Sequence, residues 1–126
     1  MAENEEHAGA ARVQPYEMSS WIDDEVAKRK LYSRRDLSPA GLADQLGISP
    51  ATLQHIIRHT YHKSVQDYLN DRRVQAAGRL LREQPDMTID DIADVVGCAS
   101  AEHFRTLFTQ SMGLAPDKYR SQMRGG

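Results

Sequence analysis

Ala51, Gln54, His55 and Arg58 stand at i, i+3, i+4 and i+7, the spacing that lines up one face of an α-helix. An amide, an imidazole and a guanidinium on one face can hydrogen-bond the edges of nucleic-acid bases and pair with phosphate oxygens. Leu53, Ile56 and Ile57 fall on the opposite face, where they would meet a core. The arrangement returns as Glu102, Arg105, Thr106 and Thr109 opposite Phe104, Leu107 and Phe108. The plain alternative for either helix is a core stripe backed by a solvated one. Two other sets could do chemistry. His55, His59 and His62 share the i, i+4, i+7 spacing that can hold a metal, but no carboxylate or thiolate stands at matching register, so no metal and no cofactor are expected. Cys98, the single thiol, follows Gly97 where a small buried residue serves packing. No enzyme is expected.

Those faces need helices held at fixed positions, and helix boundaries are well marked. Ser38-Pro39 and Ser49-Pro50 each place an N-cap serine before a proline at the first helical position, where a missing N–H costs nothing. Thr88 with Asp91 resembles a capping box, and Ser100 suits the cap of the next helix. Leu42-Ala43-Asp44-Gln45-Leu46-Gly47 recurs as Ile92-Ala93-Asp94-Val95-Val96-Gly97; Ser49, Leu53, Ile56, Ile57 and Tyr68 are echoed by Ser100, Phe104, Leu107, Phe108 and Tyr119. Each copy reads as a short helix, a glycine turn and a second helix, which is helix-turn-helix length. Two copies are too few for a solenoid.

Between the copies a helix is predicted over Val65 to Glu83, with Tyr68, Leu69, Val74, Ala77, Leu80 and Leu81 as its buried positions. Pro85 stops it. Ahead of the first copy, Trp21, Ile22, Val26 and Leu31-Tyr32 form an apolar stripe, with acids early and Lys28, Arg29 and Lys30 late. No stretch alternates with period two, so no sheet is expected. The chain divides into a disordered tail or linker remnant at 1–14, a lead-in helix with the first helix-turn-helix at 15–64, a linker helix at 65–84, and the second helix-turn-helix with a C-terminal helix at 85–126. The predicted fold is all-α, two helix-turn-helix subdomains joined by a long linker helix.

Composition narrows the function. The 126 residues suit one domain with a real if small core. No run approaches the ~18 apolar residues of a membrane span, and no secretory leader is expected at the N-terminus. One cysteine leaves no internal disulfide and fits a reducing compartment, so the cytoplasm and its nucleoid are the expected location. Net charge is -2; 8 of the 18 acidic residues precede Leu37, leaving 10 against 10 Lys and Arg from there on. Four of the five histidines lie in the repeated part. Affinity for DNA is therefore expected to be modest and salt-sensitive, because phosphate neutralisation supplies most of the non-specific term.

From about Leu37 to Arg120 the chain resembles the DNA-binding domain of the AraC/XylS family of bacterial transcription regulators. Leu42-Ala43 through Gly47-Ile48-Ser49, Tyr68-Leu69-Asn70, Arg73-Val74, Ala77 and Leu80-Leu81 carry the resemblance in the first half. Ile89, Ile92-Ala93, Val96-Gly97, Phe104, Phe108, Gly113, Pro116 and Tyr119-Arg120 carry it in the second. The resemblance implies recognition helices at 50–59 and 101–110 entering successive major grooves of double-stranded DNA. Base contacts carried over by position are Ala51, Gln54 and His55, then Ala101, Glu102, Arg105 and Thr106. Phosphate contacts are expected at Ser38, Arg58, His59, Lys63, Thr88 and Thr109. Five positions depart from the family pattern: Thr109-Gln110 stands where two basic residues are usual, Cys98 and Ile57 replace aromatics, and His62 takes a helix-end position usually held by glycine. The first unit is therefore expected to bind more strongly. The resemblance also implies RNA polymerase as a partner, a monomer in isolation and dimerisation only through a separate domain; it leaves open whether the chain is the output end of a longer regulator or a small regulator controlled by abundance or partners. The competing function is a protein-interaction module that keeps the fold with little DNA affinity.

Overall fold

The computed structural model describes residues 15–125, and among them seven α-helices and one 3-10 helix follow one another without a strand. They are α1 (Pro15–Lys28), the 3-10 helix (Leu31–Ser33), α2 (Pro39–Leu46), α3 (Pro50–Tyr61), α4 (Val65–Glu83), α5 (Ile89–Val95), α6 (Ala101–Met112) and α7 (Pro116–Gly125). The segment 1–14, expected from its composition to be a tail, lies outside the described residues. Helix starts follow the side-chain chemistry. Ser38, Ser49, Thr88 and Ser100 each accept a hydrogen bond from the backbone N–H three residues on, at Gly41, Thr52, Asp91 and His103. Ser64 caps α4 in the same way, an N-cap with no proline after it to mark the helix start.

Neither copy buries a core alone, and α4 serves both. Its first turns give Val65, Tyr68 and Leu69 to a core shared with α1, α2 and α3. Its later turns give Val74, Ala77 and Leu81 to a core shared with α5, α6 and Tyr119 of α7. Leu80, expected inside, is only half-buried, because a 100° step from Leu81 turns it to the helix flank. Arg73 and Gly78 are buried instead.

The lead-in segment corrects the expected stripe. Ile22 and Val26 are buried on α1 and Met18 packs against the same core, whereas Trp21, one residue out of that register, is 39% exposed. α1 stops at Lys28, Lys30 adopts a left-handed backbone (φ 50°), and Leu31 enters the core from the 3-10 turn rather than from α1.

Asp23 of α1 ties this helix to the first core. Its carboxylate accepts hydrogen bonds from the hydroxyls of both Tyr61 and Tyr68, whose rings stack with centroids 5.6 Å apart. Arg72 lies 5.2 Å from the Tyr68 ring centroid and completes the cluster. At the other end of the molecule the Arg120 guanidinium donates to the carbonyls of Met87 (2.6 Å), Gln84 (3.2 Å) and Leu81 (3.4 Å), fastening α7 to the end of α4.

Each helix-turn-helix bends at a glycine with a left-handed backbone, Gly47 at φ 72° and Gly97 at φ 87°. A Cβ at Gly47 would meet open space. Gly47→Ala therefore carries only the left-handed penalty, about 1–2 kcal/mol, and urea denaturation should register a loss of that size.

The tyrosine cluster also makes a pH prediction. Burial first, then the hydrogen bond and charge of Asp23, push the Tyr61 hydroxyl up from 10.0 to about 12, and raise Tyr68 as well. Below pH 10 both states hold these protons; above it the unfolded chain releases them first. Stability should therefore fall as pH rises from 10 to 12. Denaturation midpoints taken across that window should decline, less steeply in Tyr61→Phe. A wild-type midpoint that stays level would contradict the assignment.

Candidate nucleic-acid interface

On α3 the core face is Leu53, Ile56 and Ile57, and all three are buried. The helical period then forces Ala51, Gln54, His55, Arg58 and His59 outward, and these five line one shallow open surface. All five are exposed, and the His55 and His59 rings lie 6.1 Å apart. Arg58 makes no hydrogen bond or ion pair among the described residues, so its guanidinium is available. The helix ends at His62, which takes the left-handed conformation (φ 59°) expected from its position.

On α6 the equivalent outward surface is lined by Arg105, Thr106, Thr109 and Gln110. Gln110 is an addition to the residues expected from sequence; its position four residues after Thr106 was the available cue. Glu102 is exposed on the first turn. Arg105 makes no hydrogen bond or ion pair among the described residues. The Thr106 hydroxyl donates back to the Glu102 carbonyl at 3.2 Å. Two expected contacts change character. Ala101 is half-buried and packs against the second core, because it opens α6 beside that core rather than on its outer face. Lys63 forms an ion pair with Asp71 of α4, so its ammonium is not a free cation. Leu107, the counterpart of buried Ile56, is only half-buried and lines a cleft with Lys63, Asp67, Asn70, Asp71, Val74, Gln110 and Ser111.

Ser38 and Thr88 are exposed at the starts of α2 and α5, and their oxygens already accept the capping N–H of Gly41 and Asp91. The remaining first-turn amides there are the groups open to an anion. Among the described residues no group of three His, Cys, Asp or Glu side chains could hold a metal ion, and no helix is long and apolar enough to cross a membrane. Cys98 is buried, and burial pushes its thiol above the ordinary range, with Arg73 and Arg35 acting against that shift.

α3 and α6 both pack against α4. Its 19 residues measure about 28 Å at ~1.5 Å per residue. Adjacent major-groove sites on one face of a duplex are about 34 Å apart. The shared helix is thus of about groove-to-groove length.

Two helix-turn-helix units on one shared helix, each turning a polar face outward, define a tandem helix-turn-helix domain. Residues 42–122 match the family model described as a helix-turn-helix domain. The chain belongs to the AraC/XylS family, with the fold of its DNA-binding domain. The HTH-type transcriptional activator RhaS of Escherichia fergusonii is 31% identical over 101 residues, 80% of this chain and 34% of that protein. RhaS of Pectobacterium atrosepticum is 35% identical over 82 residues, 65% of this chain and 29% of that protein. The DNA-binding domain of AdpA, solved in complex with a target DNA, superposes with a TM-score of 0.70 at 25% identity, covering 82% of this chain and 93% of that one. The C-terminal domain of AraT, a response regulator from Geobacillus stearothermophilus, gives a TM-score of 0.66 at 31% identity, covering 74% and 76%. The chain spans about a third of the length of the RhaS relatives.

Proposed function

We propose that this chain binds double-stranded DNA sequence-specifically, as the docking module of a transcription regulator, with α3 and α6 in successive major grooves. The observation that carries this is the repeated outward polar face on two helices fastened to one helix of groove-to-groove length. In this reading Gln54 pairs with adenine through its amide, His55 donates to a purine, and Arg58 and His59 hold phosphates. Arg105, Thr106 and Gln110 read the second site, and Glu102 accepts from a cytosine amine. First-turn amides of α2 and α5 add phosphate contacts.

The charge distribution supports a strong first unit and a weaker second one. Arg73, Arg82 and Arg120 spend their guanidinium groups on internal hydrogen bonds, and Arg72 sits against Tyr68 and Asp23. The first face presents Arg58 with two histidines; the second presents Arg105 beside Glu102. RhaS relatives are named transcriptional activators, and by extension the proposed output here is recruitment of RNA polymerase to a bound promoter in the bacterial cytoplasm.

In vitro selection of bound duplexes tests the reading directly. A selected site should have two half-sites about one helical turn apart. Gln54→Ala should cost about 1–3 kcal/mol on that site and relax preference at one base pair. Arg58→Ala should weaken all sequences alike and lower the salt slope by about 1. Binding indistinguishable from wild type in both variants would overturn the docking assignment. Equal, weak binding to every duplex would favour a protein-interaction module instead.

The Lys63–Asp71 pair yields a prediction of opposite sign. Asp71→Asn releases the ammonium for a phosphate, so affinity should rise for all sequences and the salt slope should steepen by about 0.9. Titrations at several salt concentrations would measure both.

A further inference from the structure

We infer that the backbone of Tyr32, Ser33 and Arg34 is a wedge clamped between the two helix-turn-helix units, and that Arg73 and Gly97 thereby determine which half-site spacing the chain accepts. The inference rests on the DNA-binding reading above and adds the residues that govern its geometry.

The two turn glycines give the first clue. They are equivalent in the repeat, yet their surroundings differ. Nothing lies within 4 Å of a Cβ built at Gly47, whereas one at Gly97 would lie 2.7 Å from the Ser33 carbonyl carbon, 2.7 Å from its oxygen and 2.7 Å from the Tyr32 oxygen. Those are backbone atoms, which cannot swing aside as a side-chain end can. Glycine at 97 is therefore required twice, once by φ 87° and once by the segment pressed against it.

Arg73 grips that segment from the other side. It is 5% exposed, at the boundary of α4 where Leu69 belongs to the first core and Val74 to the second. Its Nε donates to the Tyr32 carbonyl at 2.7 Å, its Nη2 to the Arg34 carbonyl at 3.1 Å, and its Nη1 to Asn70 Oδ1 at 3.0 Å. The flanking side chains extend the clamp. Leu31 is buried in the first core, and Arg35 pairs with Asp94 of α5 in the second unit. One short stretch thus touches the first core, the shared helix and the second unit.

A helix by itself would leave two units free to bend and twist about it. Filling the angle between them with close-packed backbone removes that freedom, because packed interiors transmit displacement rather than absorb it. One inserted base pair moves a half-site about 3.4 Å and turns it about 34°, given 10–10.5 base pairs per 34–36 Å turn. A clamped pair of recognition helices cannot follow both changes.

The test compares a selected duplex with versions carrying one inserted or one deleted base pair between half-sites, and with the first half-site alone. Wild type should lose about tenfold on either change, the size of one lost base contact. Gly97→Ala should lose less than about threefold or prefer a new spacing, while keeping wild-type affinity for the single half-site. Arg73→Lys, which keeps charge but not the two-carbonyl grip, should fall between them and serves where Gly97→Ala fails to fold by circular dichroism. A DNA-free readout separates this inference from the function beneath it. Spin labels at Asp44→Cys and Asp90→Cys, on a Cys98→Ala background, should give one narrow distance that Gly97→Ala or Arg73→Lys broadens. If wild type binds no duplex yet the distance responds, the DNA reading fails and the clamp stands without its role in spacing, which overturns the inference as stated. An equally narrow distance and unchanged spacing preference in the variants would overturn the clamp itself.

Discussion

Everything in this molecule depends on one shared helix. The helix pairs on either side, α2 with α3 and α5 with α6, are too short to enclose a core, so each borrows apolar surface from α4. Val65, Tyr68 and Leu69 serve one pair and Val74, Ala77 and Leu81 the other. A helical period of 3.6 residues rotates each such set, so the two cores take different faces of α4 and the two units lie at an angle about it. The recognition faces are consequences of that angle. They point outward because their opposite sides, Leu53 with Ile57 and Phe104 with Phe108, are consumed by the cores.

The cations divide along the same line. A chain of net charge -2 has little basic excess to spend on phosphates. Several arginines are bound into the frame instead: Arg73 on the Tyr32 and Arg34 carbonyls, Arg120 on those of Leu81, Gln84 and Met87, Arg82 on Tyr119. A guanidinium suits this role because its planar fork can satisfy two or three carbonyls at once. Arg73 does so while buried, and desolvation lowers its pKa accordingly. The same residue type thus serves rigidity at positions 73 and 120 and stands exposed on an outward helix face at 58 and 105, and composition cannot separate those placements.

Much of the fold is legible in the amino-acid sequence. N-cap serines, the two glycine turns, the linker span and the repeated apolar positions are local signals, each set by a few neighbouring residues. The outward faces of α3 and α6 follow from helical period alone. The features that are not legible involve partners far apart in the chain. Asp23 meets Tyr61 and Tyr68 across some forty positions, Arg73 meets Tyr32 and Arg34 across a similar gap, and Lys63 is claimed by Asp71 around a helix start. Trp21 lies outside the core although it adjoins the buried stripe, because a run of neighbouring apolar residues does not say which register the core will take.

By itself, then, the sequence determined two copies of one helical unit, the helix between them, the family to which they belong, and the residue types turned outward on each recognition helix. These rest on periodicity and capping, which act over four residues or fewer. Tertiary structure alone decided which of those residues are free to meet a ligand. It gave Lys63 an acidic partner, sank Ala101 against a core, and pressed the Tyr32–Ser33 backbone onto Gly97 but left Gly47 open. Two glycines identical in the repeat became unequal because only one of them faces a third segment. Such a meeting depends on where the chain returns in space, and no local pattern encodes it.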